Sequence, residues 1–199
     1  MAQRLVYALL VSFLSLVSGA LSFLTYVFFL YLSRFFVRIG SNIVFFVFVE
    51  EFVKAWTAIW LIRSVGLCRS WRQMAFYSAL VGVGYAVLEN VFVYRWETGF
   101  MRLAPTMLHA SLTCTVILLY YLSLRPWQIY AVFAGFVHLV YNGLGSDHRL
   151  YGYLSQNQLA ALGIWQTTIL FAAALALVGA RTPKVTEKIG NLKKTCQVK

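Results

Sequence analysis

The sequence predicts an all-α fold, a polytopic bundle of transmembrane helices with about six spans. Three observations carry that prediction. Of 199 residues, 61% are hydrophobic and only 12% are charged, against roughly 25% charged residues in a soluble domain. The mean hydropathy is +0.74. The apolar residues gather into six runs, each able to cross a bilayer of about 30 Å as a helix of about 20 residues. A soluble core of this size could not hide so much apolar surface. A soluble enzyme, a disordered chain and a secreted disulfide scaffold are therefore excluded.

The first run, Leu5–Leu32, would be roughly 42 Å long if straight, so a tilt or a bend at Gly19 is expected. Arg4, the apolar stretch and Ser18-Gly19-Ala20 also resemble a leader and its cleavage site. Cleavage there would leave Leu21–Leu32, too short to span, so an uncleaved helix is the expected form. The second run is Ile43–Ile62, with Ser41 and Asn42 as capping residues. The third is Met74–Tyr94. Its Gly82-Val83-Gly84 lacks the third glycine of a dinucleotide loop and reads as a helix-packing feature. The fourth is Leu103–Leu124, with Pro105 in its first turn, where a missing N–H does no harm. The fifth is Trp127–Gly145, with Pro126 likewise placed in the first turn. The sixth is Leu159–Ala180, and Pro183 follows it. Trp71, Tyr94, Trp96, Trp127, Tyr151 and Tyr153 sit near span ends, as interfacial aromatics do.

Basic residues set the orientation. With the N-terminus inside, eleven fall on the inner side: Arg4, Arg63, Arg69, Arg72, Arg125 and the six of the tail. Five fall outside: Arg34, Arg38, Arg95, Arg102 and Arg149. The excess places both termini in the cytoplasm. Residues 1–180 form the bundle and 181–199 a basic tail suited to anionic lipid. Topology thus accounts for most of the net charge of +11, and nucleic acid is not an expected partner. The three cysteines, Cys68, Cys114 and Cys196, show no metal or pairing pattern and read as free thiols.

The spans carry ionisable residues that lipid disfavours. Such residues mark functional sites unless they only lock helices together. The second span holds Glu50, Glu51 and Lys54. The third holds Glu89 and Asn90. The fourth holds His109, with Arg102 near its start, and the fifth holds His138 and Asn142. Counted along the helices, Glu50, Glu89, His109 and His138 each lie about 8–10 Å from the outer end of their span, and Asn142 about 5 Å. Four antiparallel helices therefore place polar groups in one layer in the outer half of the membrane. His138 and Asn142 share a helix face, as do Glu50 and Lys54. One lysine cannot fully neutralise two adjacent carboxylates in low dielectric, which suits the pair to general acid–base work. His148, beside Asp147 in an outer loop, reads as an ordinary surface residue.

Residue types narrow the chemistry. No His-Glu-x-x-His is present. The single aspartate, Asp147, leaves no aspartyl dyad, and Ser111 lies on another helix face from His109. What remains is a glutamate–histidine site acting on water. Glu50-Glu51-x-x-Lys54, Gly84-Tyr85-x-x-x-Glu89-Asn90 with Tyr94, Arg102 followed by His109, and His138-x-x-x-Asn142 together resemble the PrsW family of intramembrane proteases. That family's superfamily includes the CAAX prenyl endopeptidases. The resemblance runs from Glu50 to Asn142. Tyr85 stands where the family usually has Phe, and Gln73–Ser78 lacks the Asp-Gly common before the third span.

The resemblance implies an intramembrane endopeptidase that cuts a membrane-anchored protein, such as an anti-sigma factor, on its extracytoplasmic side. The expected location is a bacterial or archaeal cell membrane. Glu50, or else Glu51, is expected to act as general base on a water held by His109 or Glu89. His138 and Asn142 are expected to donate to the developing oxyanion. Lys54 tunes the glutamates, while Asn90 and Arg102 are tuning or structural. No cofactor is certain. The alternative is zinc or another divalent metal on Glu89, His109 and His138. The rival functions are a non-catalytic scaffold or immunity-type member of the same superfamily and a proton-coupled transporter.

Overall fold

A computed structural model describes residues 2–36, 43–65, 71–92, 103–123 and 126–146. Those residues are helical almost throughout: α1 (Ala2–Phe36), α2 (Ile43–Ser64), α3 (Trp71–Phe92), α4 (Leu103–Ser123) and α5 (Trp127–Ser146). The expected sixth span, Leu159–Ala180, the basic tail, Arg102, Cys68, Cys196, Asp147 and His148 lie outside the described residues.

The five helices follow the first five apolar runs, and the differences are at the ends. Helix α1 extends three residues before Leu5 and four past Leu32. Helix α3 starts at Trp71, three residues before its run, and closes at Phe92. Backbone hydrogen bonding continues a helix through Trp71, Arg72 and Gln73 although those side chains are not lipid-soluble, so hydropathy marks the apolar centre rather than the terminus. Pro105 falls in the first turn of α4 as expected. The Pro126 carbonyl accepts from the Ile129 N–H and starts α5.

Helix α2 is the hub. It packs against each of the other four helices, while α3 packs extensively on α1 and α4. The largest apolar cluster draws Val11 of α1, Ile59 and Ile62 of α2, Met74 and Val81 of α3 and Ile117 of α4 into one core. A second ties α2, α4 and α5 through Ala55, Leu108, Leu112, Val116, Ala131 and Ala134. In a lipid setting such contacts contribute through van der Waals packing rather than through removal of apolar area from water.

Glycines set the closest crossings. A Cβ at Gly19 would run into the Val81 carbonyl and the Tyr85 nitrogen, and one at Gly84 would run into the Leu16 carbonyl, so α1 and α3 touch backbone to backbone. A Cβ at Gly82 would meet the backbone of His109 and Ala110 on α4. The two glycines of Gly82-Val83-Gly84 thus serve two different helix contacts. Gly19 makes a helix crossing inside a single unbroken α1.

Among the described residues, large apolar side chains lie on the outside of the bundle as well as in its core, and a group of ionisable ones lies within. Leu5, Leu9, Phe13, Trp56, Trp60, Phe76, Phe133, Phe136 and Val140 are exposed, whereas Glu50, Glu51, Lys54, His109 and His138 are buried. Two stretches, Leu5–Phe28 and Trp71–Phe92, are long and apolar enough to cross a membrane.

Candidate functional site

Helix α2 presents Glu50, Glu51 and Lys54 to the interior one turn apart, and the lysine folds back along its own helix. Its ammonium has three N–H donors and three acceptors. It donates to Glu50 Oε1 at 2.9 Å, to Glu51 Oε1 at 2.6 Å and to His109 Nδ1 at 2.8 Å. The face of the Tyr85 ring covers it, with 4.9 Å from Nζ to the ring centroid, a cation–π contact. Lys54 itself is fully buried. A buried ammonium between two carboxylates and an imidazole repays its desolvation only because every proton is placed.

His109 is the bridge between helices. Accepting from Lys54 at Nδ1 assigns it the tautomer protonated at Nε2, and that N–H donates to Glu89 Oε2 at 2.9 Å. Its Nδ1 also lies 3.2 Å from Glu50 Oε1. The Gly82 notch lets α4 approach α3 at the His109 backbone itself. Tyr85 packs on the ring at 5.4 Å between centroids, and His138 meets it edge-on at 5.1 Å and 84°. Position and tautomer of this ring are fixed from four sides.

His138 enters from α5. Its Nδ1–H donates to Glu51 Oε1 at 2.8 Å and lies 3.5 Å from Glu50 Oε1. With Nδ1–H committed to Glu51, Nε2 is the remaining ring nitrogen, and it has no partner among the described residues. Glu51 holds the two short bonds, to Lys54 and His138. Glu50 holds the longer ones, all through Oε1, and its Oε2 bonds to none of the described residues. The Glu50 side chain is 5% exposed against 1% for Glu51. Glu50 is the less anchored carboxylate of the pair, and Glu51 acts as the brace for His138.

Six of the residues singled out in the sequence thus form one continuous hydrogen-bonded chain running Glu89, His109, Lys54, Glu50 and Glu51, His138, contributed by α2, α3, α4 and α5. Asn90 stands beside it and donates to Thr106 Oγ1 at 3.1 Å instead of joining it. Asn142 is half-buried one turn beyond His138, with no hydrogen bond to the cluster. Tyr85 is a site residue that a search for polar residues passes over, because an aromatic in an apolar run looks like core. Its hydroxyl is buried with no hydrogen-bond partner among the described residues, as is Asn90 Oδ1. The sequence signal was the place of Tyr85 in Gly84-Tyr85-x-x-x-Glu89-Asn90. Thr106 carried no signal at all. Cys114 is a buried free thiol on α4.

The donor set suits a divalent metal in type. Glu50, Glu51, His109 and His138 each offer a ligand atom, all within 4.8 Å of one another. Glu89 is on the far side of His109, at the other ring nitrogen. Three of the four converging residues, however, already hold the Lys54 ammonium.

No protein-family model, curated protein or solved structure matches this chain.

Proposed function

We propose that the protein is an intramembrane endopeptidase that hydrolyses a membrane-anchored protein near the extracytoplasmic side. In this reading it crosses a bacterial or archaeal cell membrane six times, with both termini in the cytoplasm. The observation that carries the reading is the buried Glu89–His109–Lys54–Glu50/Glu51–His138 chain inside a bundle whose outer faces are apolar. Lipid makes such groups costly, and a simple helix lock does not need two histidines and three carboxylates.

The geometry supports a division of labour. Glu50, whose Oε2 bonds to none of the described residues, takes a proton from the attacking water and returns it to the leaving amine as the tetrahedral intermediate collapses. Lys54 and His109 hold Glu50 in place and keep its charge local. His138, braced by Glu51, accepts the water's second hydrogen bond at Nε2 and orients it for attack. The Tyr85 hydroxyl and the Asn142 amide are donors available to the developing oxyanion. Removing a general base of this kind slows a reaction by about 10²–10⁴-fold. Glu50→Ala and His138→Ala, reconstituted in liposomes with a single-span substrate, are expected to lose cleavage by that factor while still binding substrate. Cleavage by either variant at the wild-type rate overturns the proposal.

A second reading rests on the continuity of the same chain, which is what a proton pathway through a transporter requires. Solute uptake into proteoliposomes driven by a pH gradient, without peptide cleavage, would select it.

A further inference from the structure

We propose that Glu50, Glu51, His109 and His138 form a divalent-cation cage whose ion position is held by the Lys54 side chain, so that the intact protein binds no metal and loss of Lys54 opens the cage to zinc or cobalt.

The ligand types are those of a zinc site, two imidazoles and two carboxylates. They come from three helices, each residue is buried, and their ligand atoms lie within 4.8 Å of one another. Inside that set lies Lys54 Nζ, at 2.9, 2.6 and 2.8 Å from Glu50, Glu51 and His109. These are hydrogen-bond lengths. A zinc ion on the same atoms would need about 2.0–2.2 Å, so each ligand would have to draw in by roughly half an ångström or more. An ammonium and a divalent ion compete for the same lone pairs, and two cations within a few ångströms repel strongly in a low-dielectric interior. Lys54 has no route out of the way. It is fully buried, Tyr85 covers it, and its own backbone is one turn from Glu50. A tethered cation at high effective concentration therefore excludes a free one.

The inference concerns ion occupancy and does not depend on proteolysis, so its test uses binding alone. Purified full-length protein in detergent is titrated with Co²⁺, and the visible ligand-field bands of tetrahedral cobalt are read. Melting is then followed with and without Zn²⁺. Wild type is expected to show no bands and no zinc-dependent shift. Lys54→Met is expected to bind one equivalent of cobalt and to gain several degrees in melting midpoint from zinc, because metal binding is coupled to folding. His138→Ala in that background is expected to weaken cobalt binding by about tenfold or more. Lys54→Met leaves two buried carboxylates without a cation, so a second variant, Lys54→Met with Glu51→Gln, lowers the uncompensated charge and keeps Glu50, His109 and His138 as ligands. It is expected to bind cobalt as well. Stoichiometric cobalt bands in wild type overturn the proposal. So does a lack of bands in both Lys54 variants, and so does failure to recover either variant folded from zinc-supplemented cells.

Discussion

His109 is held through both ring nitrogens, and this defines what Glu89 does. Glu89 accepts from Nε2 and is 16% exposed at the edge of the cluster, so in the proposed reaction it would act through the ring, as a positioning residue. Glu89→Gln retains an acceptor oxygen for the same N–H, and activity within about tenfold of wild type is expected. Glu89→Leu leaves the tautomer unpinned. It is expected to lower kcat by about 10²-fold or more with little change in KM, measured by initial rates on a reconstituted substrate. Lys54 has a heavier structural role. Truncation to Ala leaves Glu50 and Glu51 buried without their cation, at a cost of about 3–5 kcal/mol, which denaturant unfolding in mild detergent in the absence of zinc will read. Much of this was legible in the sequence. Glu50, Glu51, Lys54, Glu89, His109 and His138 stood out because ionisable side chains are scarce in the spans, and they do meet. The central place of Lys54 was not legible, because i,i+3 and i,i+4 spacing gives its partners on α2 but not the imidazole 55 residues away. Asn142 shares a face with His138 by its spacing, yet a shared face fixes direction, not reach.

Helix α2 supplies three of the six chain members because it is the element that each of the other described helices packs against. The register of α4 against α3 then decides where His109 sits, and Gly82 controls that register. Gly82→Ala is expected to push the His109 backbone outward. It should cost about 1–3 kcal/mol of stability, as overpacking does, and reduce cleavage with it, both measured on the same purified sample. Gly135 is the control. The nearest atoms a Cβ there would meet belong to the Phe48 ring, a side chain edge-on against Phe136 at 5.2 Å that can turn aside. Gly135→Ala is expected to shift the melting midpoint less than Gly82→Ala and to leave the cleavage rate near wild type. The five helices were readable because an apolar run of about 20 residues has few other stable forms. Their ends were less readable, since a helix such as α3 continues through polar residues at no hydropathic signal. Which glycine faces which neighbour was not readable at all, because Gly82 and Gly84 are chemically identical and differ only in the azimuth that tertiary packing gives them.

At the scale of the whole molecule, the described helices bury Glu50, Glu51, Lys54, His109 and His138 and leave many large apolar side chains exposed. The proposed topology puts the tail, with Cys196, in the cytoplasm and Cys114 in the interior of the bundle. A membrane-impermeant maleimide is therefore expected to leave Cys196 unlabelled in intact cells and to label it after permeabilisation, with Cys114 protected throughout. Labelling of Cys196 from outside would reverse the orientation. Composition alone carried the membrane reading, because the ratio of apolar to charged residues does not depend on knowing how helices are arranged. The arrangement itself, with α2 at the hub and α5 against α2 and α4, depends on side-chain shape and was beyond any count of residues.

The glycine crossing of α1 and α3 has a mechanical consequence. Where main chains touch at two levels, Gly19 and Gly84, no wedge can be driven between the two rods without breaking both contacts, so they move as one plank. An elongated guest coming sideways from the lipid would find that flank shut. The contact of α5 with α2 and α4 runs instead through side chains, Ala55, Leu108, Leu112, Val116, Ala131 and Ala134, which can slide without breaking main-chain contact.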